Sequence, residues 1–459
     1  MIDFIREPYE PALRMLGKCR ASAADRRPLA FTVREETGGK VLYFNTLTRE
    51  MIAVSKEDES SEEVRDYLDR HWFFVPEKTD DMKLADQVLS VVRLLSRQPE
   101  EVSSFTVFTT TDCNARCFYC FENGCERTGM TEETADAAAD YMIRNAGDHT
   151  VKIQWFGGEP LMGEAAIDRI CGRLRAAGKK YRSSMTSNGY LFDDENVRKA
   201  ACDWNLKKVQ ITLDGTEEVY NRAKAYIYKE GSPYPRVMEN IGRLLRADIR
   251  VAVRLNLDLY NAENLLKLAD ELSRTFGGQE KLSVYSFPLF EEGMPESRIE
   301  KRRKEVYSLQ KKLDERLGRN GILAEGILSG KLPVNQCMAD SGRSVTILPD
   351  GRVGLCEHFT DREIIGDIWH GERDLELIRK WKVRRAPIEA CRTCVLYPEC
   401  YKIERCPDEK ECFPELQRYR IEKLTGSVRH EYGRWLKAGG NKTPEAEEPE
   451  EEAFEPENC

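Results

Sequence analysis

Three cysteines within eight residues, Cys113-x3-Cys117-x2-Cys120, are the part of this 459-residue sequence best suited to hold a metal centre. Three thiolates can ligate three irons of a [4Fe–4S] cluster and leave the fourth iron open to a substrate or cofactor. Zinc is the alternative, but a closed structural zinc site needs four ligands, and only Cys125 stands near enough in sequence to complete one. The trio follows a strand-like run at 104–110, SFTVFTT, which places it in a loop. Gly157-Gly158-Glu159-Pro160 follows a second such run at 151–156, Ser187-Asn188-Gly189 closes a third, and Leu213-Asp214-Gly215 ends a fourth.

A second group of cysteines reads Cys337-x18-Cys356, the latter in the turn-like LPDGRVGLC with Gly351 five residues before it, then Cys391-x2-Cys394-x5-Cys400-x5-Cys406-x5-Cys412. Seven sulfurs at these spacings suit two clusters of four or three ligands, or two zinc sites. The remaining five of the fifteen cysteines, Cys19, Cys125, Cys171, Cys202 and Cys459, are scattered and read as unligated small residues. A cytosolic chain would not hold this many as disulfides.

The spacing of the first trio, with an aromatic residue, Tyr119, before the third cysteine, resembles the radical S-adenosylmethionine (radical SAM) superfamily. That resemblance implies a cluster whose unique iron chelates the amino and carboxylate groups of S-adenosylmethionine, and whose reduction cleaves the sulfonium to a 5′-deoxyadenosyl radical. It also implies that Gly157, Gly158 and Pro160 shape the approach to this ligand and that Glu159 accepts from the methionine ammonium. Ser187, Asn188 and Asp214 would then contact ribose and carboxylate, and Arg254 would pair with the methionine carboxylate or be matched structurally. The second group is similar to the SPASM extension of radical SAM enzymes that mature peptides, quinohemoprotein subunits and sulfatases. Carried over, Cys391, Cys394, Cys400 and Cys412 would hold one auxiliary [4Fe–4S] cluster, and Cys337, Cys356 and Cys406 the other. Here the spacing after Cys400 is x5 where the family usually has x3, so Cys406 and Cys412 are exchangeable. Positions 338–355 lack the eighth cysteine that many members have, which leaves an open iron that solvent, His358 or a substrate thiolate can fill.

The elements that must position these residues alternate β and α from Ser104 onward. Strand runs lie at 104–110, 151–156, 181–188, 207–214, 249–258 and 281–289, and helical patterns at 131–146, 164–178, 193–203, 234–246 and 262–275. The strands read as near-continuous apolar runs, which predicts a parallel sheet covered by helices: a partial (β/α)6 TIM-like barrel or an open doubly wound sheet, with the chemistry at the C-terminal ends of the strands. Residues 30–75 read as three short strands with a helix opened by a capping box at Ser60 and Glu63, and a second helix runs over 82–95. The expected organisation is 1–98 a small α+β (winged-helix-like) peptide-recognition domain with its linker helix, 99–300 the partial barrel, 301–336 a helical bridge, 337–438 the Cys-rich iron–sulfur SPASM domain, and 439–459 an acidic tail.

With 41% hydrophobic and 33% charged residues the composition is that of a globular protein, and no apolar run approaches the ~20 residues that span a bilayer. The beginning, MIDFIREPYEPALR, interrupts any signal-like apolar stretch with acids, so the chain is read as cytoplasmic. The net charge of −9 is largely that of the last sixteen residues, which hold eight Glu and no base. A near-neutral body offers no footprint for nucleic acid, and neither nucleic acid nor membrane is an expected partner. By resemblance, the N-terminal module would bind a precursor peptide's leader by strand addition, and a flavodoxin or ferredoxin would supply electrons. The expected activity is radical modification of a ribosomal peptide with three [4Fe–4S] clusters and S-adenosylmethionine. A thioether crosslink is favoured; carbon–carbon crosslinking, formylglycine maturation and a non-catalytic cluster protein are the alternatives. The catalytic acid or base is not assigned, although the strand end at 285–292 faces the right way.

Overall fold

The computed structural model describes residues 2–440 except 18–24, 96–100, 290–295, 325, 327, 335–336, 359–362, 372–373, 382–386 and 401–411. Cys19, Cys406, Cys459 and nearly all of the acidic tail therefore lie outside the described residues, as does 290–292 of the strand end singled out above. The chain divides into two compact units: 1–99 with 325–340 and 381–450, and 100–324 with 341–380 and 451–459.

In the first unit the strands are β1 (Ile2–Arg6), β2 (Arg26–Pro28), β3 (Thr32–Thr37), β4 (Lys40–Asn45), β5 (Met51–Ser55) and β6 (Phe74–Pro76). Four of them form an antiparallel sheet in the order β1-β5-β4-β3, and β2 pairs with β6. Gly38 and Gly39, both at positive φ, make the two-residue turn that pairs Thr37 with Lys40. Because side chains alternate across a strand, each face of the sheet buries its own apolar set. Val41, Tyr43, Ile52 and Val54 lie under Val64 and Leu68 of the helix Glu62–Arg70. Leu42, Phe44, Met51 and Ala53 lie against Leu424, Val428 and Trp435 of the helix Pro414–Lys437. The cap of Glu62–Arg70 is Ser61, whose hydroxyl accepts from the Val64 amide, and not Ser60 as the capping-box pattern suggested.

This same core takes in Cys394 and Leu396, and Tyr397 enters a neighbouring core with Phe31 and Val88. The N-terminal sheet and the helix Pro414–Lys437 thus belong to one body. Hydrogen bonds stitch them together: Thr46 Oγ1 donates to the Val395 carbonyl at 2.6 Å, and Arg6 pairs with Glu431 at 2.7 Å. The buried Arg49 guanidinium meets Glu399 at 2.5 Å and donates to the Ser329 carbonyl.

The second unit holds β7 (Ser104–Thr110), β8 (Val151–Gly157), β9 (Tyr181–Ser187), β10 (Leu206–Leu213), β11 (Arg250–Leu257), β12 (Leu282–Pro288), β13 (Ser344–Ile347), β14 (Arg352–Gly354) and β15 (Ile364–Asp367). They form one sheet in the order β12-β11-β10-β9-β8-β7-β13-β14-β15. Strands β7 to β12 and β13 run parallel, β14 and β15 antiparallel, and the sheet ends in edges at β12 and β15 without closing. The partial-barrel architecture is thus observed as an open sheet. The strands are not continuously apolar. Val151, Ile153 and Trp155, then Val209, Ile211 and Leu213, then Val251, Val253 and Leu255 are buried, whereas Gln154, Ser184, Thr186, Gln210, Thr212, Arg254 and Tyr285 on the other face keep solvent access. One face packs, and the other is a polar inner surface. No helix among the described residues is long and apolar enough to cross a membrane.

Candidate active site

The cysteine loop begins where β7 ends. Thr110 Oγ1 accepts from the Asp112 amide at 3.0 Å, and Asp112 Oδ1 accepts from the Cys113 amide at 2.8 Å. The loop after β8 lies directly against it: the Gly158 amide donates to the Thr110 carbonyl and the Glu159 amide to the Asp112 carbonyl at 2.9 Å. A Cβ at Gly157, which has φ +121°, would overlap the Thr110 carbonyl oxygen, and one at Gly158 would overlap that of Asp112. These glycines therefore let two protein loops touch, a requirement separate from any approach to a ligand.

Glu159 is 0% exposed. Its Oε1 accepts from Ser187 Oγ at 2.9 Å and from the Leu161 amide, and Oε2 accepts from the Asn188 amide at 2.8 Å. Burial pushes this carboxyl up to about 7, and the Asn188, Ser187 and Leu161 donors pull it back. Both oxygens are engaged by protein donors, so Glu159 fixes the Ser187–Asn188 turn. That turn reaches the first cysteine, since Asn188 Nδ2 donates to Asn114 Oδ1 at 2.6 Å and stands 3.9 Å from Cys113 Sγ. Pro160 is buried, and its carbonyl accepts from Thr109 Oγ1 at 2.9 Å.

The other flank of the loop is held by a group the sequence did not reveal. Tyr119 donates its hydroxyl hydrogen to Asp214 Oδ2 at 2.9 Å, and Lys224 Nζ donates to the Tyr119 hydroxyl oxygen at 2.8 Å. Lys224 and Asp214 are 3.3 Å apart, their side chains 4% and 3% exposed. Burial alone would lower the Lys224 ammonium, but Asp214, Tyr119 and Cys117 outweigh it and hold it well above its ordinary value. Lys224 ends the helix Glu217–Lys224, where Ala225 turns left-handed, and the chain pins the loop through its backbone: the Arg116 amide donates to the Lys224 carbonyl and the Ile227 amide to the Asn114 carbonyl. The only sequence signal was spacing, because Tyr220 and Ala223, four and one residues before Lys224, are the buried face of that helix. Onward from Asp214, Oδ1 accepts from Asn256 Nδ2 at 3.3 Å, and Asn256 Oδ1 accepts from Arg254 Nε at 2.9 Å.

Burial raises the Cys113 thiol, and the charges of Glu159, Cys117 and Cys120 raise it further. Cys125 is exposed. Among the described residues no three His, Cys, Asp or Glu side chains are gathered as a single-ion site. The donor chemistry, three part-buried thiols on one loop, suits a [4Fe–4S] cluster with three protein ligands.

Cys391, Cys394, Cys400 and Cys412 of the expected SPASM set belong to the first unit. Burial raises the Cys412 thiol, and the charges of Cys400, Cys394 and Cys391 raise it further. Successive turns shape the segment: the Cys394 amide donates to the Cys391 carbonyl, that of Tyr397 to Cys394, and that of Cys400 to Tyr397. Arg420 Nη1 stands 3.5 Å from Cys400 Sγ. Of the other expected set, Cys337 is part-buried and Cys356 buried, and Cys406 is outside the described residues. Two residues past Cys356, the His358 ring meets the Phe121 ring, next to Cys120, at 4.7 Å.

Comparison with known proteins agrees with this geometry. Residues 107–272 match the Radical SAM superfamily. An uncharacterized protein of Methanocaldococcus jannaschii is 39% identical over 110 residues, which is 24% of this chain and 37% of that protein, so the chain spans little more than a third of this relative's length. A GTP 3′,8-cyclase of Clostridium perfringens is 24% identical over 278 residues, 56% of this chain and 81% of the cyclase. The structure of anSMEcpe with bound AdoMet covers 74% of this chain and 96% of its own at 16% identity with a TM-score of 0.54; the same protein with AdoMet and Cp18Cys peptide gives 0.50, with 74% and 99% covered. The cysteine loop, the glycine–glutamate strut and most of the parallel sheet that carries them lie within residues 107–272, the part of the chain that matches the Radical SAM superfamily.

Proposed function

We propose that the chain is a peptide maturase that installs a thioether, from a cysteine sulfur to a carbon, in a ribosomal precursor peptide. When bound, a cluster on Cys113, Cys117 and Cys120 supplies the electron that cleaves S-adenosylmethionine to the radical that removes hydrogen from the peptide. The residues of this chain do the rest by holding. Glu159, Ser187 and Asn188 fix one side of the loop, and Tyr119, Asp214 and Lys224 the other. Cys391, Cys394, Cys400 and Cys412 would hold one auxiliary cluster, and Cys337, Cys356 and Cys406 a second with an iron open to the substrate thiolate.

The observation that carries the reading is that Cys391, Cys394, Cys400 and Cys412 belong to the same compact unit as the four-stranded sheet, with Cys394 in the core beneath it. An auxiliary-cluster segment is thereby built onto a module whose outer strands, β1 and β3, can accept an added peptide strand. The organisation favoured is a leader-binding module over 1–98, a barrel over 99–300, a bridge over 301–336 and an auxiliary-cluster domain over 337–438, working in the cytoplasm with a flavodoxin or ferredoxin as donor. Thioether formation is favoured over carbon–carbon coupling because no cysteine lies between Cys337 and Cys356 to close the second cluster. One C–H and one S–H hydrogen would leave per crosslink, and an auxiliary cluster, when bound, would take up the second electron. Co-expression with a Cys-rich precursor encoded beside this chain tests it. Loss of two hydrogens per crosslink, with the cysteine no longer alkylatable, is expected; an unchanged mass or a free thiol in the product overturns it.

A further inference from the structure

The polar inner face of the second unit carries a cation that its surroundings do not match. Arg254 projects from the middle of β11 between Thr212 of β10 and Tyr285 of β12. Its guanidinium lies 3.9 Å from the centre of the Phe287 ring, and its Nε is tied to Asn256 Oδ1 at 2.9 Å. Tyr285, its neighbour on β12, is turned away to Gln210 Oε1 at 2.6 Å. The two terminal amino groups of Arg254 have no hydrogen-bond or ion-pair partner among the described residues. Asp214 reaches Arg254 only through Asn256 and is already matched by Lys224 at 3.3 Å. Among the described residues Arg254 thus has no carboxylate of its own, and an unpaired, half-buried charge is costly unless a ligand supplies the partner. Burial lowers the guanidinium from its ordinary value, a shift that an arriving carboxylate would reverse.

We propose that Arg254 is a carboxylate-binding subsite that takes an acidic side chain of the peptide substrate. The ring beneath the guanidinium and the bond at Nε hold the fork flat, with both outer amino groups presented side by side, the geometry that receives a carboxylate through two bonds. Three hydrogen bonds, through Asn256 and Asp214, join this fork to Tyr119 on the cysteine loop. The acidic residue therefore sits within a few positions of the residue that is modified. This subsite rests on the peptide-maturase reading and names a feature of its substrate.

The test uses the reconstituted full chain and two capped peptides, acetyl-Gly-Cys-Gly-Glu-Gly-amide and its Gln counterpart, with binding read by saturation-transfer NMR. The wild type is expected to prefer the Glu peptide by about tenfold or more. That preference should persist at saturating S-adenosylmethionine, which distinguishes a peptide carboxylate from the methionine carboxylate. It should vanish in Arg254→Gln and survive in part in Arg254→Lys. Equal binding of the two peptides by the wild type, no binding of either, a preference abolished by S-adenosylmethionine, or a preference retained in Arg254→Gln overturns the proposal. The same preparation is assayed for 5′-deoxyadenosine with dithionite. Cleavage without a Glu preference removes the subsite alone, whereas a wild type without clusters or cleavage removes the reading beneath it.

Discussion

Lys224→Met strands the Asp214 carboxylate inside the second unit. In the wild type that carboxylate has three partners: Lys224 at 3.3 Å, the Tyr119 hydroxyl at 2.9 Å and Asn256 at 3.3 Å. Among the described residues the substitution removes the one cation in direct contact with Asp214 and leaves two neutral donors. Breaking a buried pair from one side typically costs about 3–5 kcal/mol, and the two surviving hydrogen bonds argue for the lower end, about 3 kcal/mol. Removing both charges with Lys224→Met and Asp214→Asn together should recover at least about half of this, because the remaining cost is that of altered hydrogen bonds. Anaerobic guanidinium titration followed by tryptophan fluorescence reads the effect, since Trp155 and Trp204 are fully buried in the same unit. A loss below about 1 kcal/mol for Lys224→Met, or a double variant no more stable than the single one, refutes the claim that a buried ion pair holds this flank.

The remaining expectations concern the other supports. Gly158→Ala places a methyl on the Asp112 carbonyl oxygen and should lower the iron bound at the first cysteine loop more than Gly172→Ala, where a Cβ meets nothing; equal iron in the two variants contradicts the loop-contact role. Glu159 is raised from 4.5 to about 7 in the fold, so the native state binds an extra proton between these values and stability falls as pH rises through that window, by up to about 3 kcal/mol, then levels above it. Glu159→Gln should flatten that slope in denaturation of the cluster-free protein between pH 4.5 and 7; an unchanged slope refutes the assignment. Arg49→Met leaves Glu399 without its ion pair one residue before Cys400, and should cost roughly one cluster's worth of iron while 5′-deoxyadenosine formation persists; full iron content contradicts the role of that pair.

What the sequence made legible was what it keeps local. Cys113, Cys117 and Cys120 lie on one loop, and the glycine–glutamate and Ser–Asn–Gly motifs each follow a strand, so spacing alone placed them at one end of one sheet. The six parallel strands were equally readable, because their apolar residues alternate or run under helices of ordinary length. Lys224 was not, since its partners Tyr119 and Asp214 are distant in sequence and its short helix Glu217–Lys224 carries no motif. The polar inner face was passed over because the strands were read as near-continuous apolar runs, although Ser184, Thr186 and Gln210 alternate with the buried residues of β9 and β10. The joining of the N-terminal sheet to the Cys391–Cys412 region depends on Arg49, Thr46 and Leu42 meeting residues some 350 to 390 positions away, a separation at which periodicity is silent. The strand Ile2–Arg6 was passed over because its pairing partner, β5, alone defines it.

The measurement nearest to the central claim is 5′-deoxyadenosine formation from S-adenosylmethionine by dithionite-reduced protein, compared among wild type, Cys125→Ala and Cys117→Ala. A three-thiolate cluster with its fourth iron open predicts cleavage by the first two and none by the third. Cleavage at the wild-type rate by Cys117→Ala, or its loss in Cys125→Ala, would contradict the account.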